Sequence, residues 1–188
     1  MNVYENCPEI QNERFLVRLI DKQDCDDLLK VYSDPKAVPL FNSDNCHGDD
    51  FCYRTPERMM QAIEFWIYSY NNGYFVRWSI IDRQTGEAVG TIELFQRESL
   101  DGEAATGLLR LDLRSDYEKA DAIENLLGLI TEPAYDWFNC TSITTKAAPQ
   151  AAVRRAVLAK LGFVESKECL RGDNGTCYGH YFVSDKHA

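Results

Sequence analysis

The chain has 188 residues, 45% of them hydrophobic and 12% aromatic, with a formal net charge of −10. This length and composition support a folded core and exclude a disordered chain, and the acidic balance argues against nucleic acid as a partner, because such binding needs a basic face. No apolar run reaches the length of a bilayer span, Met1-Asn-Val-Tyr-Glu-Asn reads as no signal peptide, and seven cysteines without a CxxC pair read as a reduced, metal-free, cytoplasmic protein with no membrane partner.

In chain order, Glu13-Arg-Phe-Leu-Val-Arg-Leu-Ile20 reads as a strand. Asp21 to Ser33 reads as a helix with Cys25, Leu28, Leu29 and Tyr32 inward, stopped by Asp34-Pro35. Ala37 to Tyr53 is of mixed polarity and reads as a long loop, a segment type that often carries function. Thr55-Pro56-Glu57 opens a helix with a hydroxyl cap, proline in the first turn and an acid at the positive end of the dipole. That helix runs to about Tyr70 and closes at Asn71-Asn72-Gly73. Tyr74 to Ile81 and Ala88 to Phe95 read as a hairpin around Thr85-Gly86, and Gln96 to Glu103 as a polar loop.

The unit from Ala105 to Phe163 organises the rest. Gly107 to Leu113 is a strand, Arg114 to Asp121 a charged turn, and Ala122 to Phe138 an amphipathic helix with Ile123, Leu126, Leu127 and Ile130 on one side. Thr141 to Thr145 is a second strand, and a shorter helix spans about Pro149 to Leu161. Such a strand–turn–helix presents backbone N–H groups at the helix start, where an anionic ligand can bind. Beyond Phe163, Val164 to Leu170 and Cys177 to Ser184 read as strands around the turn Arg171-Gly-Asp-Asn-Gly175. No repeat or linker is present, so residues 1–188 are expected to form one domain of mixed α and β type.

This order of elements resembles the GNAT N-acetyltransferase superfamily. Glu13-Arg-Phe-Leu-Val-Arg-Leu with Asp24 to Pro35, then Val89-Gly-Thr-Ile-Glu-Leu94 and Ala156-Val-Leu-Ala-Lys-Leu-Gly-Phe163, is similar to the branch that acetylates ribosomal-protein N-termini and amino sugars. The resemblance implies a central mixed, mostly antiparallel sheet flanked by helices, acetyl-CoA as co-substrate and a primary amine as acceptor. It places the pyrophosphate on the turn before the third helix, in a loop that the family builds with glycines. This chain departs there: no glycine occurs between Gly107 and Gly128. Aligned to the family, Ser115 takes the Arg/Gln position and Glu118 and Ala120 the glycine positions. Carboxylates at Asp116, Glu118 and Asp121 favour the helix itself but repel a bound phosphate. In the fourth helix the family's Asn-x-x-Ser positions become Ala151 and Arg154, and its general-acid tyrosine becomes Leu158.

On that alignment, the cofactor-binding candidates are Leu111, Asp112 and Leu113 on the strand, Glu118, Lys119, Ala120, Asp121 and Ala122 at the turn, and Arg154. The turn reads either as a pyrophosphate site or as a capped helix start. Arg154 and Arg155 read as phosphate partners replacing the glycines or as a solvated helix face. Glu93 is the candidate general base, acting through water, against a solvent-facing strand position. Tyr178 is the second catalytic candidate, and with His180 it reads as acceptor-holding or proton-donating against an ordinary strand position. Cys46, His47 and Cys52 fit no zinc spacing. The aromatics from Trp66 to Trp78 wall an acceptor pocket or simply pack helix on sheet. The expected function is acetyl transfer from acetyl-CoA to the primary amine of a small molecule or peptide N-terminus. The rival is a catalytically degenerate binding or regulatory module, and a homodimer completing the site is a third arrangement.

Overall fold

The computed structural model describes residues 2–98 and 105–186. Strands β1 (Ile10–Gln11) and β2 (Phe15–Leu19) precede helices α1 (Cys25–Tyr32) and α2 (Pro56–Asn71). Then follow β3 (Val76–Asp82), β4 (Ala88–Glu98), β5 (Ala105–Leu113), α3 (Ala120–Trp137), β6 (Ser142–Lys146) and α4 (Ala152–Lys160). The chain finishes with β7 (Val164–Glu165), β8 (Leu170–Arg171), β9 (Cys177–Tyr178) and β10 (Tyr181–Asp185). Local chemistry sets the helix starts. The Thr55 hydroxyl accepts from the Arg58 N–H at 3.2 Å, with Pro56 in the first turn. Ahead of α1, the Asp21 and Asp24 carboxylates form a reciprocal capping box.

Eight strands form one sheet in the order β1-β2-β3-β4-β5-β6-β10-β7. Every pairing is antiparallel except β5 with β6. The hairpin-like adjacency of residues 88–95 and 106–113 is therefore as expected, in the register Gly90 to Leu113 through Glu98 to Ala105. Alternation along the strands divides the core between the two faces. Trp78, Ile92, Leu109, Leu111 and Leu113 pack under α3 and α4, through Ile123, Leu126, Leu127, Ile130, Val157 and Leu158. The other face is covered by α1 and α2, through Leu28, Tyr32, Met59, Ile63 and Trp66.

The sheet opens between β5 and β6. The parallel ladder between β5 and β6 runs only from Thr106–Ser142 to Leu109–Thr145. Beyond it, Arg110 to Leu113 continue on β4 alone, and the two strands part. The opening lies where α3 and α4 begin.

Four sequence expectations need correction. β4 extends to Glu98, so part of the polar loop is strand, while residues 99–104 lie outside the described residues. The strand expected over Val164 to Leu170 is two short ones, β7 in the main sheet and β8 in a separate two-stranded hairpin with β9. The strand expected over Cys177 to Ser184 is likewise broken, because His180 adopts a left-handed backbone (φ 67°) between β9 and β10.

The cysteines are the fourth case: Cys169 and Cys177 form a disulfide across the β8–β9 hairpin, so the fully reduced state is not what the structure holds. With Arg171 paired to Cys177 in the hairpin, the Cα atoms of Cys169 and Cys177 lie 5.4 Å apart, within disulfide range. Cys7, Cys25, Cys46, Cys52 and Cys140 are free. Denaturing alkylation without reductant should therefore label these five thiols, and reductant should expose Cys169 and Cys177 in addition. Labelling of all seven without reductant would contradict the hairpin geometry.

Candidate functional site

The α1/α2 face of the sheet carries a charged layer where apolar residues would be expected. Arg77 on β3, Glu93 on β4, and Arg110 and Asp112 on β5 are all buried, with Arg77 at 0% exposure. Glu93 accepts from Arg77 Nε at 3.1 Å and Nη2 at 2.5 Å, and from Arg110 Nη1 at 2.6 Å. Arg77 Nη1 also donates to the Tyr32 hydroxyl at 2.7 Å and to Asp112 Oδ2 at 3.3 Å, and the Tyr32 hydroxyl donates to Asp112 at 2.9 Å. The Arg77 guanidinium stacks on Trp66, 4.1 Å from the ring centroid. Two cations and two anions are thus paired in a layer covered by α1 and α2, as buried charges require.

The two carboxyls respond in opposite directions. Burial would raise the Glu93 pKa, but the Arg77 and Arg110 guanidiniums outweigh it and hold the group below the usual carboxylate range. Burial dominates at Asp112 and pushes it up, against the opposing charge of Arg77 and the Tyr32 hydrogen bond. Asp112 Oδ1 has no hydrogen-bond partner among the described residues.

Glu93 and Arg110 line a cavity of about 640 Å³. Its other walls come from α2 (Ala62, Phe65, Trp66), from Phe75 and Phe95, and from the loop between α1 and α2, through Cys46, His47, Asp49, Phe51 and Tyr53. The loop bends into this wall by left-handed backbone at Asn45, His47, Gly48 and Phe51. A neighbouring cavity of about 620 Å³ shares Asn45 to His47, Asp49 and Asp173 and adds Tyr178. The structure therefore places Glu93 and Tyr178 on adjoining cavities. His180 is exposed and sits 3.7 Å from Glu165, away from both. Among the described residues no cluster of three metal-ligating side chains occurs, and Cys46 and His47 are cavity-wall residues.

The sequence-predicted cofactor residues lie along the opening between β5 and β6, except that the Asp112 side chain points into the charged layer with Arg77 and Tyr32. Leu111, Asp112 and Leu113 lie on the part of β5 beyond the β6 ladder. α3 starts at Ala120, two residues earlier than its apolar pattern suggests, with Lys119 at the N-cap and no side-chain cap. Asp121 is exposed and paired with Arg14 at 2.7 Å. Its pKa is lowered by the Arg14 hydrogen bond and also by the N–H groups of Ala122 and of its own residue, so its carboxylate already serves the helix start.

Arg154 and Glu118 meet in this opening. Arg154 is 2% exposed. Its Nε and Nη2 donate to Glu118 Oε1 and Oε2 at 2.9 and 2.6 Å, a bidentate pair. Its Nη1 donates to the Leu111 carbonyl at 2.7 Å. A guanidinium therefore occupies the free edge of β5, and a carboxylate stands beside the start of α3. The backbone arrangement, a parted pair of strands facing a helix N-terminus, fits an extended ligand ending in phosphate. The side chains in this arrangement do not, until Arg154 leaves Leu111 and Glu118 turns away.

Sequence reasoning passed over Arg77, Arg110 and Tyr32. A signal for them exists. Charged residues at alternate positions of Val76-Arg-Trp-Ser-Ile and Leu109-Arg-Leu-Asp-Leu read as a solvent face, yet the amphipathic α1 and α2 must cover one face of the sheet.

The acetyltransferase (GNAT) domain family model matches residues 14–164. No curated protein matches the chain. Solved structures match over nearly all of it. A Vibrio cholerae protein assigned as a ribosomal-protein-serine acetyltransferase superposes with TM-score 0.73 at 12% identity, over 99% of this chain and 100% of its own. The ribosomal-protein-S5-alanine acetyltransferase of Vibrio fischeri gives 0.64 at 18%, over 95% and 96%. RimJ of Mycobacterium smegmatis, in complex with CoA-disulfide, gives 0.67 at 15%, over 90% and 79%.

Proposed function

The chain belongs to the GNAT acetyltransferase family, and on that premise we propose that it transfers an acetyl group from acetyl-CoA to a primary amine, on a small molecule or a peptide N-terminus. The observation that carries this reading is the parting of β5 from β6 at Leu109–Thr145, next to the start of α3 and on the same strand as the Arg110 wall of the larger cavity. On this reading the donor site lies at the open edge of β5 and the acceptor site at the cavity that Arg110 lines.

Acetyl-CoA would supply the thioester acyl carbon. The backbone of Leu111 and Leu113 would hold its amide arm, and the N–H groups of Ala120, Asp121 and Ala122, with Lys119 and the released Arg154, would face its phosphates. The amine nitrogen forms the new bond to carbon, the carbon–sulfur bond breaks, and the thiolate leaves and takes up a proton. Glu93 is poorly suited to remove the amine proton, because two guanidiniums hold it charged and depress its basicity. We assign it to fixing Arg110 at the cavity wall, with the amine proton passing to water. Tyr178, on the adjoining cavity, is the side-chain candidate for protonating the leaving thiolate. Residues 1–188 would act as one domain, and the reaction fits a cytoplasmic enzyme; no described helix is long and apolar enough to cross a membrane.

One observation favours a second reading. The Arg154–Glu118 pair, anchored on Leu111, fills the donor side with the chain's own charges, as a non-catalytic GNAT-fold binding module would. Calorimetric titration with acetyl-CoA separates the two. Saturable one-to-one binding that weakens with salt supports transfer, and absence of binding at millimolar acetyl-CoA supports the module.

A further inference from the structure

We propose that the larger cavity takes an aromatic amino-acyl group, a planar apolar side chain with a neighbouring carbonyl or carboxylate oxygen, and discriminates against polyamines. That this ligand is the acetyl acceptor rests on the transfer reading above; its chemical class does not.

The first observation is the wall. Phe51, Trp66, Phe75 and Phe95 line the cavity, and Phe65 and Tyr74 stand at its rim. The two rim residues are 58% and 61% exposed, large apolar groups held in water beside an opening. The Phe65 ring meets Phe75 edge to face at 6.2 Å. Rings in such numbers favour an aromatic guest by stacking and edge contacts.

The second observation is the state of the charges. A polyamine needs carboxylates with oxygens to spare, and Glu93 and Asp49, which line this cavity, have both oxygens engaged. Both Glu93 oxygens are taken by Arg77 and Arg110. Asp49 Oδ1 accepts from the Phe51 N–H at 2.9 Å, and Oδ2 accepts from the Tyr53 hydroxyl at 3.1 Å and Arg58 at 2.5 Å. The remaining acid, Asp173, accepts from Asn45 at 3.2 Å and is exposed. Spare capacity lies with a donor instead. A guanidinium carries five N–H groups. Arg110 uses Nη1 on Glu93 and Nη2 on the Asp44 carbonyl at 2.8 Å, and its Nε has no partner among the described residues. Arg110 also lies 5.6 Å from the Phe95 ring centroid, so donor and aromatic wall adjoin. An oxygen acceptor attached close to an aromatic ring satisfies both, and a chain of ammonium groups satisfies neither.

The test is calorimetric titration of the full chain, without acetyl-CoA, with L-phenylalaninamide, L-phenylalanine, L-alaninamide and spermidine. Phenylalaninamide stands for the first residue of a peptide and phenylalanine for a free amino acid, so their order identifies the source. At least one aromatic probe should bind about tenfold tighter than alaninamide and spermidine. Tyr74→Ala, at an exposed rim position where the fold is not at stake, should weaken that probe about threefold or more. Spermidine binding as tightly as the aromatic probes, no aromatic binding at millimolar concentration, or affinity indifferent to Tyr74→Ala would overturn the proposal. Aromatic binding without acetyl-CoA binding would leave the proposal standing and overturn the transfer reading.

Discussion

Replacing Arg77 with methionine should destabilise the protein by about 3–5 kcal/mol, the cost of leaving partners of a buried charge network unpaired. For a chain of this length that lowers the unfolding midpoint by about 10 °C. The side chain is fully buried and bonds Glu93, Asp112, Tyr32 and Thr91 at once. Methionine fills the space against Trp66 but removes a cation from two buried carboxyls, leaving Glu93 with Arg110 and Asp112 with the Tyr32 hydroxyl. By contrast, Lys22→Ala breaks only the exposed pair with Glu64 and should leave the midpoint nearly unchanged.

The defect should also depend on pH, with a defined sign. In the native protein Glu93 titrates below its usual 4.5. Its contribution is present above that value and is lost as pH falls through the folded pKa. Asp112 titrates above its usual 3.8, so its contribution is present below 3.8 and is lost as pH rises through the folded pKa. Without Arg77 both carboxyls move upward, because burial remains and an opposing cation is gone. The stability gap between wild type and Arg77→Met should therefore narrow from pH 8 to pH 5, as read by urea unfolding. A constant or widening gap would mean that the loss is one of packing and not of charge.

Replacing Glu118 with glutamine should tighten acetyl-CoA binding about tenfold at low salt, or roughly 1.4 kcal/mol. The native carboxylate does two things against an anionic ligand. It sets a negative charge beside the start of α3, and it holds the Arg154 guanidinium in a bidentate pair with side chains 10% and 3% exposed. Glutamine keeps the shape, removes the charge and loosens Arg154, whose Nε and Nη2 become available to phosphate. The gain should shrink as ionic strength rises. Asp121→Asn should do less, since Asp121 is exposed and its charge is already paired with Arg14. If Glu118→Gln binds no tighter than wild type at low salt, Arg154 is not the group that meets the phosphates.

The elements that position this site were legible where period and punctuation agreed. The Ile123–Leu126–Leu127–Ile130 stripe gave α3, Thr55-Pro56-Glu57 gave the start of α2, and the runs around Thr85-Gly86 gave β3 and β4. The GNAT order followed from these. The charged layer was not legible, because Arg77, Glu93, Arg110 and Asp112 alternate with apolar residues as a solvent face does, and only tertiary packing decides that α1 and α2 cover it. Arg154 read as a helix-surface or phosphate-facing arginine; its burial depends on Glu118, 36 residues earlier, and on a backbone carbonyl of β5. The Cys169–Cys177 link was hidden by an odd cysteine count, and the hairpin that makes it depends on His180 breaking the last strand.

Acetyl transfer by this chain would have to proceed despite a glycine-free turn and an occupied β5 edge. It is tested most directly by incubating the protein with acetyl-CoA and L-phenylalaninamide and following both products by mass spectrometry. The account predicts N-acetylated amide and free CoA in equal amounts, at a rate that rises in Glu118→Gln at limiting acetyl-CoA. No acetylated amine above the enzyme-free control, in wild type and Glu118→Gln alike and across a panel of peptide and small-molecule amines, would contradict it and leave the non-catalytic module.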